Sequence, residues 1–141
     1  MLALRVVPKV YYFDTFKEFH DEFQVGKNDL VLTNEWLYTP YIKPLEIETN
    51  VIYQEKFGAG EPSDEMIDAI ANEMKKYSFD RIIAFGGGTI VDICKILALD
   101  VPEKSVDLFT GEVAPVKKTK LVVVPTTCGT GSEVTNVAIA E

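Results

Sequence analysis

The chain has 141 residues, 47% of them apolar and 26% charged, the proportions of one globular domain with a sizeable core. Its 14 basic and 22 acidic side chains leave a net charge of −8, which argues against a nucleic-acid backbone or an anionic membrane as partner. No apolar run approaches the roughly 20 residues that cross a bilayer, the opening Met1 to Pro8 lacks the layout of a signal peptide, and two cysteines make no disulfide framework, so a reducing cytoplasm is the expected setting.

Val6 to Phe13 reads as a first strand. Asp14 is expected to cap a helix that runs to about Phe23, with Phe16, Phe19, His20 and Phe23 on one stripe. His20 on that stripe reads as a satisfied core histidine rather than a ligand. After a turn over Gly26 to Asp29 come a short apolar strand, Leu30 to Thr33, and a short helix ending near Tyr38 or Pro40. Val51 to Tyr53 is a third strand. Pro62 leads into a helix from Ser63 to Tyr77, where Asp64 and Glu65 suit the amino-terminal dipole and Met66, Ile67, Ile70 and Met74 face inward.

Ile82 to Phe85 is an unbroken apolar run, as a strand covered on both faces requires. Gly86, Gly87 and Gly88 follow, offering dihedrals closed to other residues and close approach to the backbone. From Thr89 onward, Ile90, Ile93, Cys94, Leu97 and Ala98 keep helical spacing. A glycine turn opening a helix presents free N–H groups to an anion such as phosphate. Three glycines also serve as a tight turn with no ligand, and the pattern is neither the spaced dinucleotide fingerprint nor a Walker loop.

A loop from Asp100 to Thr119, with a turn of helix near Val106 to Phe109, precedes a last covered strand, Leu121 to Val124, stopped by Pro125. The loop after it is dense in hydroxyls and glycines: Thr126, Thr127, Gly129, Thr130, Gly131 and Ser132. Such a loop either caps its own backbone or bonds ribose, phosphate or an amide from the carboxyl edge of a parallel sheet. Two loops of this kind in one chain favour a nucleotide. Cys94 on the apolar helix face reads as core, and Cys128 as an ordinary small residue. An apolar run from Val134 to Ala140 closes the chain, and its end at Glu141 reads as a truncation. Strands alternating with helices predict a Rossmann-like, doubly wound, mostly parallel α/β sheet.

Gly86-Gly-Gly-Thr-x-x-Asp92-x-x-Lys95, followed by Pro125-Thr-Thr-x-Gly-Thr-Gly-Ser-Glu133, resembles the iron-containing (group III) alcohol dehydrogenase family. Within it, Phe57 to Met66 and Cys128 to Glu141 are most similar to the branch that interconverts 4-hydroxybutyrate and succinate semialdehyde. The resemblance implies that residues 1–141 are an NAD-binding α/β domain, the amino-terminal part of an enzyme expected to be a homo-oligomer acting on a small alcohol or aldehyde. It implies that Gly87, Gly88 and Thr89 hold the pyrophosphate and Thr127 and Thr130 the adenosine or nicotinamide side. Asp92 and Lys95, which by spacing alone read as a solvated ion pair worth roughly 0.2–0.5 kcal/mol, become residues that position ribose and substrate.

Asn34 falls where many members carry an Asp that bonds the adenine ribose and repels a 2′-phosphate. Asn, with Glu35 next to it, still bonds hydroxyls but lacks that charge, and the resemblance implies NAD ahead of NADP. Glu61-Pro62 stands where many members have Asn-Pro. The family's divalent metal, iron or zinc, is held by an Asp and three His of a later helical domain. With one histidine and no ligand cluster, this chain supplies no metal ligand and is expected to be inactive alone. A non-catalytic nucleotide-binding module, another primary alcohol dehydrogenase, or the related glycerol dehydrogenase and sugar-phosphate cyclase branch remain as alternatives.

Overall fold

A computed structural model describes residues 8–129, 131 and 133. Among the described residues four strands, β1 (Asp29–Thr33), β2 (Asn50–Tyr53), β3 (Arg81–Gly86) and β4 (Lys120–Pro125), form one sheet in the order β2-β1-β3-β4. All three pairings are parallel. Their register runs Thr33 to Tyr53, Leu32 to Ala84 and Gly86 to Pro125. The helices are α1 (Phe16–Phe23), α2 (Glu35–Tyr41), α3 (Asp64–Met74), α4 (Gly88–Leu97) and the short α5 (Val106–Phe109).

Strand alternation divides the apolar side chains between two cores. Leu30, Leu32, Ile52, Ile82 and Ala84 pack against Met66, Ile67 and Ile70 of α3 and Ile90, Ile93 and Cys94 of α4. Val31, Ile83 and Phe85 pack the opposite way, against Phe19 of α1 and Leu37 of α2. Helices on both faces make the sheet doubly wound, as the unbroken apolar strands require. Because β2 lies on one side of β1 and β3 on the other, the strand order reverses between β1 and β3. In open α/β sheets the ligand crevice opens at that switch point, outside the carboxyl ends of the strands.

Several expectations are corrected here. Residues 8–13 form no strand, and Val6 and Val7 lie outside the described residues. The aromatic residues there pack instead, with Tyr11 edge-on to Phe23 at 5.2 Å and Phe13 edge-on to Phe19 at 6.0 Å. Thr15, not Asp14, caps α1: its hydroxyl accepts from the Glu18 N–H, and the Glu18 carboxylate accepts from the Asp14 N–H at 2.8 Å. Each residue suits a cap, and Thr15 takes the role because its hydroxyl is the one that reaches the Glu18 N–H, while Glu18 holds the residue before the cap. The helix after Ser63 ends at Met74 rather than Tyr77, because Lys75, Lys76 and Tyr77 bond three residues back in tighter turns. His20 is half-buried and its Nδ1 has no hydrogen-bond partner among the described residues, so it is not the satisfied core histidine expected.

The lower end of the sheet is held by Arg81. Its guanidinium donates to both carboxylate oxygens of Asp29, at 2.6 and 3.0 Å, and to the Phe23 carbonyl at 2.9 Å. Asp29 is 3% exposed, so this fork satisfies a carboxylate withdrawn from water.

Candidate cofactor site

β3 ends in Gly86, Gly87 is the N-cap of α4, and Gly88 and Thr89 are its first two residues. The first bond of the helix runs from the Val91 N–H to the Gly87 carbonyl, so the amides of Gly88, Thr89 and Ile90 precede the helical ladder. α1 and α3 meet this deficit with the Thr15 and Ser63 hydroxyls. Among the described residues α4 has no side-chain cap, and its first turn holds no carboxylate. Residues 87–89 are half-buried and so reachable from solvent. An amide-lined, dipole-positive helix start with no side-chain cap among the described residues suits a diphosphate.

The glycines serve this turn by lack of bulk rather than by unusual dihedrals, a correction to the expectation. Gly87 has φ −80° and ψ −170°, which other residues adopt, and neither Gly86 nor Gly88 is left-handed. A Cβ on Gly86 would lie 2.9–3.1 Å from the Ile90 side chain, whereas one on Gly87 would meet the Thr127 side chain at 3.3–3.4 Å.

That second contact joins the two loops identified from sequence. The Thr126 N–H donates to the Gly86 carbonyl at 3.0 Å, which carries the pairing of β3 and β4 one residue past the strands. Thr127 is thereby set against Gly87, exposed at the rim. Gly129 and Gly131 take left-handed φ of 94° and 67°, so here glycine is a conformational requirement. Thr130, Ser132 and the run from Val134 to Ala140 lie outside the described residues.

Asp92 and Lys95 occupy the second turn of α4, with Lys95 Nζ 3.5 Å from Asp92 Oδ1. Their side chains are only 15% and 13% exposed, so the pair is enclosed rather than the solvated pair that spacing suggests. The two charges are held one turn behind the uncapped amides.

Asn34 follows β1 and caps α2 without a side-chain cap bond. Two more steps of the β1–β3 register bring it level with Gly86, on the other side of the switch point. Its Nδ2 donates to Gln54 Oε1 at 3.3 Å and to Glu55 Oε2 at 3.0 Å. Nothing in the local pattern signals the Glu55 contact, because only the pairing of β1 with β2 brings together residues 21 apart.

Among the described residues no group of three or more His, Cys, Asp or Glu side chains could hold a metal ion. The described residues therefore do not fit a metal. Cys94 is fully buried and burial pushes its thiol up, out of reach as a nucleophile, while Cys128 is exposed. No helix among the described residues is long and apolar enough to cross a membrane.

The model of the iron-containing alcohol dehydrogenases matches residues 8–141. A 4-hydroxybutyrate dehydrogenase of Clostridium kluyveri is 52% identical over 141 residues, which is all of this chain and 38% of that protein. Among solved structures, the iron-containing alcohol dehydrogenase of Thermotoga maritima superposes with a TM-score of 0.62 at 27% identity, over 85% of this chain and 36% of that one. A sulfoacetaldehyde reductase of Bifidobacterium kashiwanohense, solved with NAD+, gives a TM-score of 0.65 at 23% identity, over 84% of this chain and 33% of its own, a likeness of fold. The chain thus spans well under half the length of the relatives it matches.

Proposed function

The chain belongs to the iron-containing alcohol dehydrogenase family, and from that premise we propose that it is the cofactor-holding domain of an NAD-dependent 4-hydroxybutyrate dehydrogenase. The substrate rests on the 52% identity sustained along the whole chain. The cofactor rests on one structural observation: the uncapped start of α4 lies at the switch point of the sheet, with Thr127 of the neighbouring loop set against Gly87.

In this reading the N–H groups of Gly88, Thr89 and Ile90 receive the pyrophosphate, and Gly87 leaves room for it beside Thr127. The Thr127 and Thr130 hydroxyls bond the sugar or nicotinamide side, and Asn34 bonds the adenine ribose. The Asp92–Lys95 pair sits behind the first turn and positions ribose and substrate. NAD bound there supplies the hydride acceptor for an alcohol carbon, and the protein's part is to orient it. The family's metal, iron or zinc, belongs with ligands beyond these 141 residues, so this chain alone binds cofactor without turning over substrate.

Calorimetric titration tests the reading. Hydrogen bonds from amides to an anion contribute about 1.5–3 kcal/mol each, and ordering both partners offsets much of the total. A Kd between about micromolar and millimolar is expected for NAD. Gly88→Val should weaken binding by crowding the pyrophosphate. Absence of saturable binding at millimolar NAD, or unchanged affinity in Gly88→Val, would count against the assignment.

A further inference from the structure

We propose that Glu55 is the side chain through which this site rejects a 2′-phosphate, so that it prefers NAD to NADP although Asn34 carries no charge. The inference rests on the cofactor assignment above and adds to it a residue from the turn after a different strand. In dinucleotide folds a carboxylate near the adenine ribose bonds the 2′-hydroxyl and excludes a phosphate there. Here the position after β1 holds an amide, and the carboxylate arrives from the turn that follows β2.

The arrangement is built rather than incidental. Gln54 is 7% exposed and anchored, its Nε2 donating to the Gly58 carbonyl at 3.1 Å and to the Met66 sulfur at 3.3 Å. Its Oε1 accepts one Asn34 Nδ2 bond, and Glu55 Oε2 accepts another. With both amide hydrogens directed at these two residues, Asn34 Oδ1 is left as the acceptor for a ribose hydroxyl. Glu55 Oε1 accepts from the Glu35 N–H at 2.6 Å, so each oxygen of the carboxylate is tied to the residue pair at the start of α2.

The charges nearby also fit. Burial raises the Glu55 pKa, but the Glu35 and Glu55 N–H groups, the Asn34 amide and the Lys56 ammonium outweigh it and hold the carboxyl below its ordinary 4.5. Glu55 is therefore ionised at neutral pH. Lys56 lies 4.9 Å from the centre of the Tyr53 ring. The Tyr53 phenol is raised first by burial, then by Tyr38 and by the negative field of Glu35 and Glu55. A 2′-phosphate would enter this field and be repelled.

Another role for Glu55 is simply to cap α2, whose own N-cap makes no side-chain bond. Capping affects stability but not the choice between cofactors. Affinities of the chain for NAD and NADP should therefore be measured calorimetrically in the parent, in Glu55→Gln and in Glu55→Asp. The parent is expected to bind NAD the more tightly, by a margin that shrinks with added salt. Glu55→Gln should cut that margin by about tenfold, mainly through tighter NADP binding, and Glu55→Asp should retain most of it. A parent without NAD preference, or a Glu55→Gln chain that binds NAD with an unchanged NAD-to-NADP ratio, would overturn the proposal. Failure of the parent to bind either cofactor would instead overturn the cofactor assignment beneath it.

Discussion

Gly86→Ala probes the joint on which the site depends. Gly86 is buried at the end of β3, paired with Pro125 and accepting from the Thr126 N–H. An added methyl would lie 2.9 Å from Ile90 Cδ1, 3.0 Å from its Cβ and 3.1 Å from its Cγ1. The Cβ is fixed to the helix backbone, so no rotamer of Ile90 (2% exposed) escapes, and the first turn of α4 must move. Overpacking of this kind costs about 1–3 kcal/mol, against which the stiffer unfolded chain returns about 0.4–1 kcal/mol. A net loss of up to about 2.6 kcal/mol, centred on about 1.3, lowers the urea midpoint by roughly 0.6 M and at most about 1.3 M at a slope near 2 kcal/mol/M. The displaced turn carries the Gly88 and Thr89 amides, so NAD affinity should fall as well. Gly87→Ala is the control: its methyl would meet only the exposed Thr127 side chain, at 3.3–3.4 Å, so the midpoint should scarcely change. A Gly86→Ala chain as stable as the parent and equal in NAD affinity would refute this account of the turn.

Arg81→Met leaves the Asp29 carboxylate, in a residue 3% exposed, with the Gly26 N–H at 2.8 Å as its remaining bond among the described residues. The expected loss is about 3 kcal/mol, at the low end for a broken buried pair because Arg81 is itself 21% exposed. The double variant with Asp29→Asn should lose less, and denaturant titration of both measures the difference. Thr33→Val removes a fully buried hydroxyl that has no partner among the described residues, and thermal unfolding should show a gain of about 1 kcal/mol with NAD affinity unchanged. A thiol reagent at neutral pH should modify Cys128 in the native chain and reach Cys94 only in denaturant.

The apolar strands Leu30 to Thr33 and Ile82 to Phe85 were legible in the sequence because both faces of the sheet are covered there, whereas the expected covered strand Leu121 to Val124 lies at the edge of the described sheet and is only half-buried. The strand-to-helix turn at Gly86 to Gly88 was legible from glycine followed by helical spacing. What escaped depends on chain segments far apart. Arg81 meets Asp29 across 52 residues and Glu55 meets Asn34 across 21, and only strand register creates either contact. The enclosure of Asp92 and Lys95 likewise could not be read from a spacing of three. The aromatic run before α1 has the composition of a strand, yet the rings of Tyr11 and Phe13 are satisfied by α1. The glycine turn was placed correctly, but its reason is room beside Ile90 and Thr127 rather than a left-handed backbone.

In the proposed site the first amides of α4 grip the diphosphate of NAD. Amide proton and nitrogen shifts of the isotope-labelled chain, followed by NMR as NAD is added, report on those groups directly. The account predicts that Gly88, Thr89 and Ile90 shift most, with Gly87 and Thr127 beside them, and that inorganic pyrophosphate reproduces the pattern at α4 while leaving Asn34 unmoved. Saturating NAD that leaves these amides where they were would contradict it.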